Sequence, residues 1–287
     1  MAIKKIFIIG SGTMGSGLAQ TAMTAGYDTV LRSRTVTPEV VEKNVARFTK
    51  SFTKAVEKGR MTQEEMDAAL KRFSMTSDLK DAADADLVIE AVAEDIAIKA
   101  ELFSQLDEIC KPETILASNT SSLSITEIAS HTKRPEKVIG MHFFNPVPVM
   151  KLLEIVVGHV TSEETYNTAV EVGEKLGKVT IRALDKSGYI VNRLIDPFIN
   201  EAVFLLEEGV GTVEDIDAGA RNGLNHPMGP LELADLIGLD VMVAVMDTLY
   251  AEYQDPKYRC APLMRRMVRA GHLGRKTGKG FYDYTKK

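Results

Sequence analysis

The feature that most constrains the fold is a glycine-rich turn near the N-terminus, Gly10-Ser11-Gly12-Thr13-Met14-Gly15, which matches the pattern G-x-G-x-x-G. The apolar run at 4–9 predicts a strand before this turn, and the segment 13–25 predicts a helix after it. In that context the first glycine permits a tight turn, the second lets backbone approach a pyrophosphate, and the third lets helix pack on strand. The turn therefore predicts a dinucleotide site, with its six residues as candidate cofactor-binding residues.

Strands and helices alternate up to about residue 186. Further strands are predicted at 28–31, 86–91, 114–117, 138–143 and 151–157. A helical hairpin is predicted at about 39–73, with its second helix at 61–73. From about Ser187 onward the strand pattern gives way to long predicted helices, notably at 192–208, 231–250 and 261–270. The predicted fold class is α/β, with a Rossmann-type, mostly parallel sheet domain over 1–186 and an all-α C-terminal domain over 187–287.

Charge and cysteine content narrow the class of partner. Lys plus Arg number 35 and Asp plus Glu number 40, a net charge of −5 that offers no general attraction to nucleic acid or to anionic lipid. The longest apolar run near the N-terminus, 6–9, is too short for a membrane span or a signal-peptide core. The two cysteines, Cys110 and Cys260, indicate neither a disulfide framework nor a zinc site. We expect a cytoplasmic protein without a metal ion, a nucleic-acid partner or a membrane partner.

The end of the second predicted strand bears on the choice between NAD and NADP. An NAD site usually carries Asp or Glu about 20 residues after the glycine turn, for the ribose hydroxyls. Here the sequence reads Leu31-Arg32-Ser33-Arg34. Ser33 can hydrogen-bond a 2′-phosphate and Arg34 can pair with it, which favours NADP. Alternatively, Arg34 points into solvent and Ser33 bonds an NAD hydroxyl, so the sequence leaves NAD or NADP open.

Four further motifs carry a resemblance to a known family: Ala117-Ser118-Asn119-Thr120-Ser121-Ser122-Leu123-Ser124-Ile125, His142-Phe143-Phe144-Asn145-Pro146, Asn225-His226-Pro227-Met228-Gly229-Pro230-Leu231-Glu232, and Gly274-Arg275-Lys276-Thr277-Gly278-Lys279-Gly280-Phe281-Tyr282. Through them the chain closely resembles the 3-hydroxyacyl-CoA dehydrogenases from end to end, with the short-chain bacterial members nearest. Ser33 departs from the family, which usually has an acidic residue there. The resemblance implies reversible hydride transfer between NAD(P)H and C3 of a short-chain 3-oxoacyl-CoA such as acetoacetyl-CoA.

The same resemblance implies a catalytic pair, His142 and Glu154. The residues alone favour a core histidine and a strand-edge glutamate, yet a buried carboxylate beside an imidazole would fix its tautomer and favour its protonated form. Ser121 is implied to hydrogen-bond the C3 oxygen, and Asn192 the acyl or thioester carbonyl. Each could instead cap a helix, Ser121 the one that begins near Ile125.

The remaining implied contacts concern cofactor and coenzyme A. The nicotinamide side of the cofactor is expected near Glu94, Lys99, Ser121, Asn145 and Lys276. Lys50, Lys54 and Lys58 recur every four residues along one side of the first hairpin helix, a pattern that is often only a solvated face. The resemblance makes Ser51, Lys54 and Lys58 candidate coenzyme A contacts.

Two other functions share the glycine turn. One is a dehydrogenase of a free hydroxy acid or sugar acid, which needs no basic helix for coenzyme A. The other is a non-catalytic dinucleotide-binding protein with a structural or sensing role. For an acyl-CoA enzyme, the resemblance implies a homodimer formed through the C-terminal domain.

Overall fold

In a computed structural model, which describes residues 2–285, the chain divides into two compact units, residues 1–186 and 187–287. The first unit contains eight strands, which are β1 (Lys5–Ile9), β2 (Asp28–Arg32), β3 (Phe73–Thr76), β4 (Leu87–Glu90), β5 (Ile115–Ser118), β6 (Val138–Phe143), β7 (Leu152–Val157) and β8 (Val179–Leu184). Its helices are α1 (Thr13–Thr24), α2 (Pro38–Glu57), α3 (Gln63–Lys71), α4 (Ile96–Ile109), α5 (Ile125–Ser130) and α6 (Glu163–Lys175).

The eight strands form one sheet in the order β3-β2-β1-β4-β5-β6-β7-β8. Strands β1 to β6 are parallel to one another, whereas β7 runs antiparallel to β6 and parallel to β8. The prediction of a Rossmann-type, mostly parallel sheet is therefore confirmed. The strand order reverses between β1 and β4, and ligands of such sheets bind at the carboxyl ends of the strands at that reversal.

The centre of this sheet is covered on both faces. Ile6, Phe7, Ile8 and Ile9 of β1 are all 0% exposed, which matches the continuous apolar runs of a parallel sheet. Helix α2 packs its apolar side against this core through Phe48 and Phe52. Five of the six helices begin at a side chain that accepts a backbone N–H of the first turn: Thr37, Thr62, Asp95, Ser124 and Ser162.

Two strands at the sheet edges were not predicted. Strand β3 has no buried side chain, and β8 buries only Ala183, so neither shows the apolar run that marks the inner strands. The predicted second helix of the hairpin, 61–73, is too long at its end. The structure ends α3 at Lys71 and places Phe73 in β3, where its ring packs edge-on against Phe48.

The second unit is helical throughout its described part, apart from two isolated β-bridges at 274–283, as predicted. Its helices are α7 (Val191–Glu207), α8 (Val213–Gly223), α9 (Pro230–Ile237), α10 (Leu239–Tyr253) and α11 (Pro262–Arg269). The continuous helix predicted at 231–250 is instead α9 and α10. They separate at Gly238, whose φ of 107° is a conformation that a helix cannot include. Among residues 2–285, no helix combines the length and the apolarity that crossing a bilayer requires.

Candidate active site

The glycine turn connects β1 to α1, and its three glycines meet different surroundings. A side-chain carbon on Gly10, whose φ is 110°, would lie 2.4 Å from the Ala91 carbonyl oxygen, and one on Gly15 would lie 1.6 Å from the carbonyl oxygen of Gly10. Both glycines are therefore required by close packing of the protein itself. A carbon on Gly12 would meet no protein atom within 4 Å. The open space beside Gly12 fits the approach of a pyrophosphate to the backbone and to the N-terminus of α1.

A cavity of about 840 Å³ lies along this turn. It is lined by the turn, the segment after β2, one side of α2 and the segment after β4. Ser33 lines it at the end of β2, and its hydroxyl lies 2.8 Å from that of Ser11 in the turn. Arg34 also lines it and is exposed. In dinucleotide-binding sheets the end of the second strand meets the adenosine ribose, so the prediction that Ser33 and Arg34 lie on the adenosine side of a cofactor concerns this end of the cavity.

The predicted pair of His142 and Glu154 comes together across two antiparallel strands. The two residues are direct partners in the register of β6 and β7, which places their side chains on the same face of the sheet. The Nδ1 atom of His142 lies 2.6 Å from Oε2 of Glu154, and the side chains are 7% and 0% exposed. A buried carboxylate at this distance fixes which ring nitrogen carries the proton and stabilises the imidazolium. Such a pair can exchange a proton with a substrate oxygen.

Glu94 organises the loop that carries Ser121. Its Oε1 atom accepts hydrogen bonds from the Thr120 hydroxyl, from Ser121 N at 2.9 Å and from Ser122 N at 3.2 Å. Burial raises the pKa of this carboxyl, but the charge of Lys99 and these hydrogen bonds outweigh it and hold the pKa below its ordinary value. The Glu94 side chain is still 37% exposed. The two predicted residues Glu94 and Ser121 are therefore neighbours.

Lys99 lies behind Glu94 and is only 1% exposed. Its Nζ atom donates to both oxygens of Glu90, at 2.7 and 2.8 Å, and lies 3.4 Å from Glu94 Oε2. Glu90 also accepts from the Ser118 hydroxyl and from Val92 N. This network places Lys99 as a support for Glu94, while a direct contact of Lys99 with the cofactor stays a prediction. The sequence pattern missed Glu90, whose signal was a carboxylate ending the apolar run of β4.

Two asparagines, Asn119 and Asn145, lie just after the carboxyl ends of β5 and β6. Asn119, after β5, accepts a hydrogen bond from Phe143 N at 2.9 Å, which fixes the end of β6 next to His142. It belongs to a motif singled out in the sequence, but its role was not predicted. Asn145 is exposed, and its bond to Pro146 is cis.

Of the predicted coenzyme A residues, one lines a cavity and the two lysines are exposed to solvent. Ser51 accepts a hydrogen bond from Gln20 Nε2 at 2.8 Å and lines a second cavity of about 520 Å³. Lys54, in α2, and Lys58, which follows its last residue, are exposed and lie outside the lining of that cavity. Their contact with coenzyme A stays a prediction.

The other predicted residues belong to the second unit. Asn192 is the second residue of α7, so it is not the residue that precedes the helix. Lys276 lies in a short helical turn, 275–277, and its Nζ atom lies 2.5 Å from Asp240 Oδ1. Their predicted substrate and cofactor contacts stay predictions. In the first unit, Ser124 rather than Ser121 caps α5.

The last features of the site are its possible metal ligands and its two cysteines. Residues 2–285 contain no group of three or more His, Cys, Asp or Glu side chains placed to hold a metal ion. Cys110 and Cys260 are buried free thiols, and burial raises the pKa of each to about 11. Such thiols are poor nucleophiles at neutral pH.

Comparison with known proteins gives a consistent result along the chain. Residues 5–186 match the family model of the 3-hydroxyacyl-CoA dehydrogenase NAD-binding domain, and residues 188–284 match that of its C-terminal domain. A Clostridioides difficile protein named 3-hydroxybutyryl-CoA dehydrogenase is 52% identical over 98% of this chain and 100% of its own length. A Bacillus subtilis protein named probable 3-hydroxybutyryl-CoA dehydrogenase is 50% identical over 100% of this chain and 99% of its own. The crystal structure of (S)-3-hydroxybutyryl-CoA dehydrogenase from Ralstonia eutropha superposes with a TM-score of 0.95 at 45% identity, covering 99% of this chain and 100% of that one.

Proposed function

The chain belongs to the 3-hydroxyacyl-CoA dehydrogenase family, and from this premise we propose that it interconverts (S)-3-hydroxybutyryl-CoA and acetoacetyl-CoA with a nicotinamide cofactor. The observation that carries the proposal is the buried contact of 2.6 Å between His142 and Glu154, at the carboxyl edge of a dinucleotide-binding sheet. The substrate follows from the names of the relatives, which match this chain over nearly its whole length.

The proton transfer is assigned to His142. In the reductive direction the imidazolium donates a proton to the C3 oxygen as charge develops there, and in the oxidative direction the neutral ring accepts it. Glu154 holds the ring through Nδ1, so that Nε2 is the atom that exchanges the proton. The bound cofactor supplies or accepts the hydride. A positioned acid of this kind typically contributes about 10²–10⁴-fold to the rate.

Ser121 is assigned a hydrogen bond to the C3 oxygen, and Glu94 is a positioning residue for it. The backbone N–H groups of Ser121 and Ser122 are held by the Glu94 carboxylate, which Lys99 holds in turn. A side chain that is positioned in this way before the substrate binds loses less freedom on binding. Asn192 of the second unit is assigned the acyl carbonyl by family resemblance.

A steady-state assay tests the proposal. Reduction of acetoacetyl-CoA is followed as loss of NADH or NADPH absorbance, with free acetoacetate as the matched substrate that lacks coenzyme A. We expect turnover of the thioester with at least one cofactor and no comparable turnover of the free acid. Equal rates with the two substrates would favour a dehydrogenase of free hydroxy acids. Cofactor binding without turnover of any acyl-CoA would favour a non-catalytic role.

We also propose a homodimer formed through the second unit. Several of its large apolar side chains are exposed in the single chain, among them Leu194 at 71%, Val210 at 67% and Leu224 at 60%. Exposed apolar groups of this kind mark interaction surfaces when they are contiguous. Light scattering of the purified chain should give about twice the mass of 31.5 kDa, and a monomer at micromolar concentration would contradict this proposal. The two free, buried thiols suit a reducing compartment such as the cytoplasm.

A further inference from the structure

A buried lysine, Lys178, lies between the end of α6 and the start of β8. It is 8% exposed, and among residues 2–285 it forms no ion pair. Its Nζ atom instead donates to two backbone carbonyl oxygens, that of Val147 at 2.5 Å and that of Met150 at 2.8 Å. Both carbonyl groups belong to the β6–β7 connection, residues 144–151. Lys178 therefore holds the segment that joins the two strands of the proposed catalytic pair.

The charge of this lysine is not explained by packing. Removing an ammonium group from water is unfavourable, and burial lowers the pKa of Lys178 below its ordinary value. An apolar side chain of similar length would fill the same space without that cost. The ammonium is therefore explained by the two carbonyl groups that it binds.

The two carbonyl oxygens depend on this one donor, which is attached at a fixed point. In the part of the chain that the structure describes, no backbone N–H donates to either of them. The backbone of Lys178 is itself held, because its N–H donates to Gly173 O at 3.0 Å. The next N–H, of Val179, donates to Lys151 O at 2.7 Å. The ammonium thus fixes the β6–β7 connection to the end of α6 and the start of β8.

The opposite side of the connection packs on α1. Val147 is buried, and a side-chain carbon on Gly17 of α1 would lie 3.0 Å from its Cβ atom and 3.4 Å from Pro148 Cδ. The absence of a side chain at Gly17 is what lets the connection approach the helix so closely. The connection is therefore enclosed between Lys178 and the helix that begins at the glycine turn.

The remaining part of the connection faces the cavity of about 520 Å³. Val149 and Met150 are exposed and line this cavity, as does Ser51, a predicted coenzyme A residue. The connection thus joins this cavity to the strands that carry His142 and Glu154. A shift of the connection would change the position of the imidazole relative to anything bound in the cavity.

We propose that Lys178 is a positioning residue for the reaction, which fixes the β6–β7 connection so that the imidazole of His142 is aligned with the bound acyl thioester. The inference rests on the proposed function, because it concerns that same reaction. Lys178 touches no reacting atom and acts through the carbonyl groups of the connection. A misplacement of about 1 Å between reacting groups can cost about 10²-fold in rate, so the loss of this support should appear in kcat.

Steady-state kinetics of Lys178→Met test the inference. Methionine is similar in length but cannot donate to the two carbonyl groups. We expect kcat for acetoacetyl-CoA reduction to fall by about 10–10²-fold. The Kd of the nicotinamide cofactor, measured by calorimetry, should be unchanged, because neither Lys178 nor the connection lines the cavity along the glycine turn. An unchanged kcat, or equal losses in kcat and in cofactor affinity, would overturn the inference.

Two further variants distinguish positioning from packing and from charge. Lys178→Arg should restore most of the rate, because the guanidinium keeps N–H donors for both carbonyl oxygens. A packing role predicts the opposite order, since arginine is the larger misfit in a buried site. Lys175→Met is the matched control, because Lys175 lines the same cavity but is exposed, and its kcat should be unchanged. Equal losses in Lys175→Met and Lys178→Met would assign the effect to the charge of the cavity and contradict the inference.

A readout that needs no turnover follows the connection directly. The N–H groups of Val149 and Met150 donate to Pro146 O, and their hydrogen exchange should be faster in Lys178→Met than in the wild type. Unchanged exchange would contradict the inference. If Lys178→Met does not fold, Lys178→Gln takes its place. Its side chain is one atom shorter, so it should lose contact with the carbonyl groups and change kcat and exchange in the same direction.

The outcomes also separate this inference from the proposed function. Wild-type turnover of acetoacetyl-CoA with no change in Lys178→Met would leave the proposed function standing and end the positioning role. Absence of wild-type turnover with either cofactor would end the proposed function, and hydrogen exchange would then decide by itself whether Lys178 holds the connection.

Discussion

Two buried glutamates of the first unit differ in the cation that each one meets. Glu90, at the end of β4, is bound at both oxygens by the Lys99 ammonium and also accepts from Ser118 and Val92. Glu154, in β7, lies 2.6 Å from an imidazole nitrogen of His142. Both carboxylates are 0% exposed.

The difference lies in which partner can change its charge near neutral pH. Lysine is ordinarily a cation at neutral pH, and the Lys99 ammonium donates to both oxygens of Glu90, so we interpret this pair as a structural support. A histidine is the side chain that ordinarily gains and loses a proton between pH 5 and 8. We therefore expect damage to the Glu90 pair to reduce stability first, and damage to the Glu154 pair to reduce catalysis first.

The largest expected effect is on the rate. His142→Ala removes the proton donor and should lower kcat by about 10²–10⁴-fold. The variant also removes the imidazole partner of the buried Glu154 carboxylate, so some loss of unfolding free energy is expected, and kcat is measured on protein shown to be folded. Kinetics with acetoacetyl-CoA and urea unfolding of the same sample check both parts. A kcat within a few-fold of the wild type would remove His142 from the mechanism.

Disrupting the pair of Glu90 and Lys99 should lower the free energy of unfolding. Glu90→Gln leaves the Lys99 ammonium buried without its main countercharge, and we expect a loss of about 3–5 kcal/mol in unfolding free energy. Urea titration followed by circular dichroism measures it. The double variant Glu90→Gln, Lys99→Met should recover part of the loss, since no ammonium is then buried without its countercharge; the partly exposed Glu94 loses its cation in this variant, so the recovery is partial. A single variant as stable as the wild type would contradict the supporting role.

A third buried carboxyl, that of Asp196, forms no ion pair with any residue in the range 2–285. Asp196 of α7 is 4% exposed, its Oδ2 atom has no hydrogen-bond partner among residues 2–285, and burial raises its pKa to about 7 from 3.8. The folded state therefore favours the protonated form, so its contribution to stability is present below pH 4 and is lost as pH rises toward and through 7. The loss is at most about 4 kcal/mol.

Unfolding free energies at pH 5 and pH 8 test this dependence. Asp196→Asn cannot ionise, so the part of the pH dependence that comes from this residue should vanish in the variant. Asp196→Leu keeps the site apolar and should be more stable than the wild type at pH 8. An unchanged pH dependence in the Asn variant would contradict the assignment.

Glu154→Gln is the matched counterpart of Glu90→Gln. It keeps a side chain of the same shape beside His142 but removes the charge that stabilises the imidazolium. We expect kcat to fall by about 10²-fold, the lower end of the range for acid–base catalysis. Glu154→Gln should lower the free energy of unfolding by less than Glu90→Gln does. A larger loss for Glu154→Gln would contradict the assignment of Glu90 to stability and Glu154 to catalysis.

The smallest effect concerns the exposed lysines of the hairpin. Removing both charges with Lys54→Ala and Lys58→Ala should raise KM for acetoacetyl-CoA by a few-fold, roughly 1 kcal/mol for two exposed contacts, and leave kcat nearly unchanged. Lys71→Ala is the control on the neighbouring helix. An unchanged KM would show that these lysines form only a solvated face.

Patterns between near neighbours in the sequence predicted much of the fold. The glycine turn identified the first strand and helix, and apolar runs identified the inner strands to within one or two residues. The edge strands β3 and β8 were missed, because a strand with only one neighbour need not be apolar. The split between α9 and α10 was missed because an isolated glycine is tolerated in helical patterns.

By itself the sequence determined the Rossmann-type sheet, the helical second unit and the family, and the resemblance to that family supplied the two residues of the proposed catalytic pair. Only the tertiary structure decided that residues 12 positions apart meet at 2.6 Å, that Glu94 holds a loop 27 residues away, and that Lys43 and Arg47 line the same cavity as Ser33 and Arg34. The physical reason is the separation along the sequence over which each kind of interaction acts. Turn and helix preferences are set by residues within a few positions, whereas contacts between distant segments depend on strand order and register, which no single segment contains.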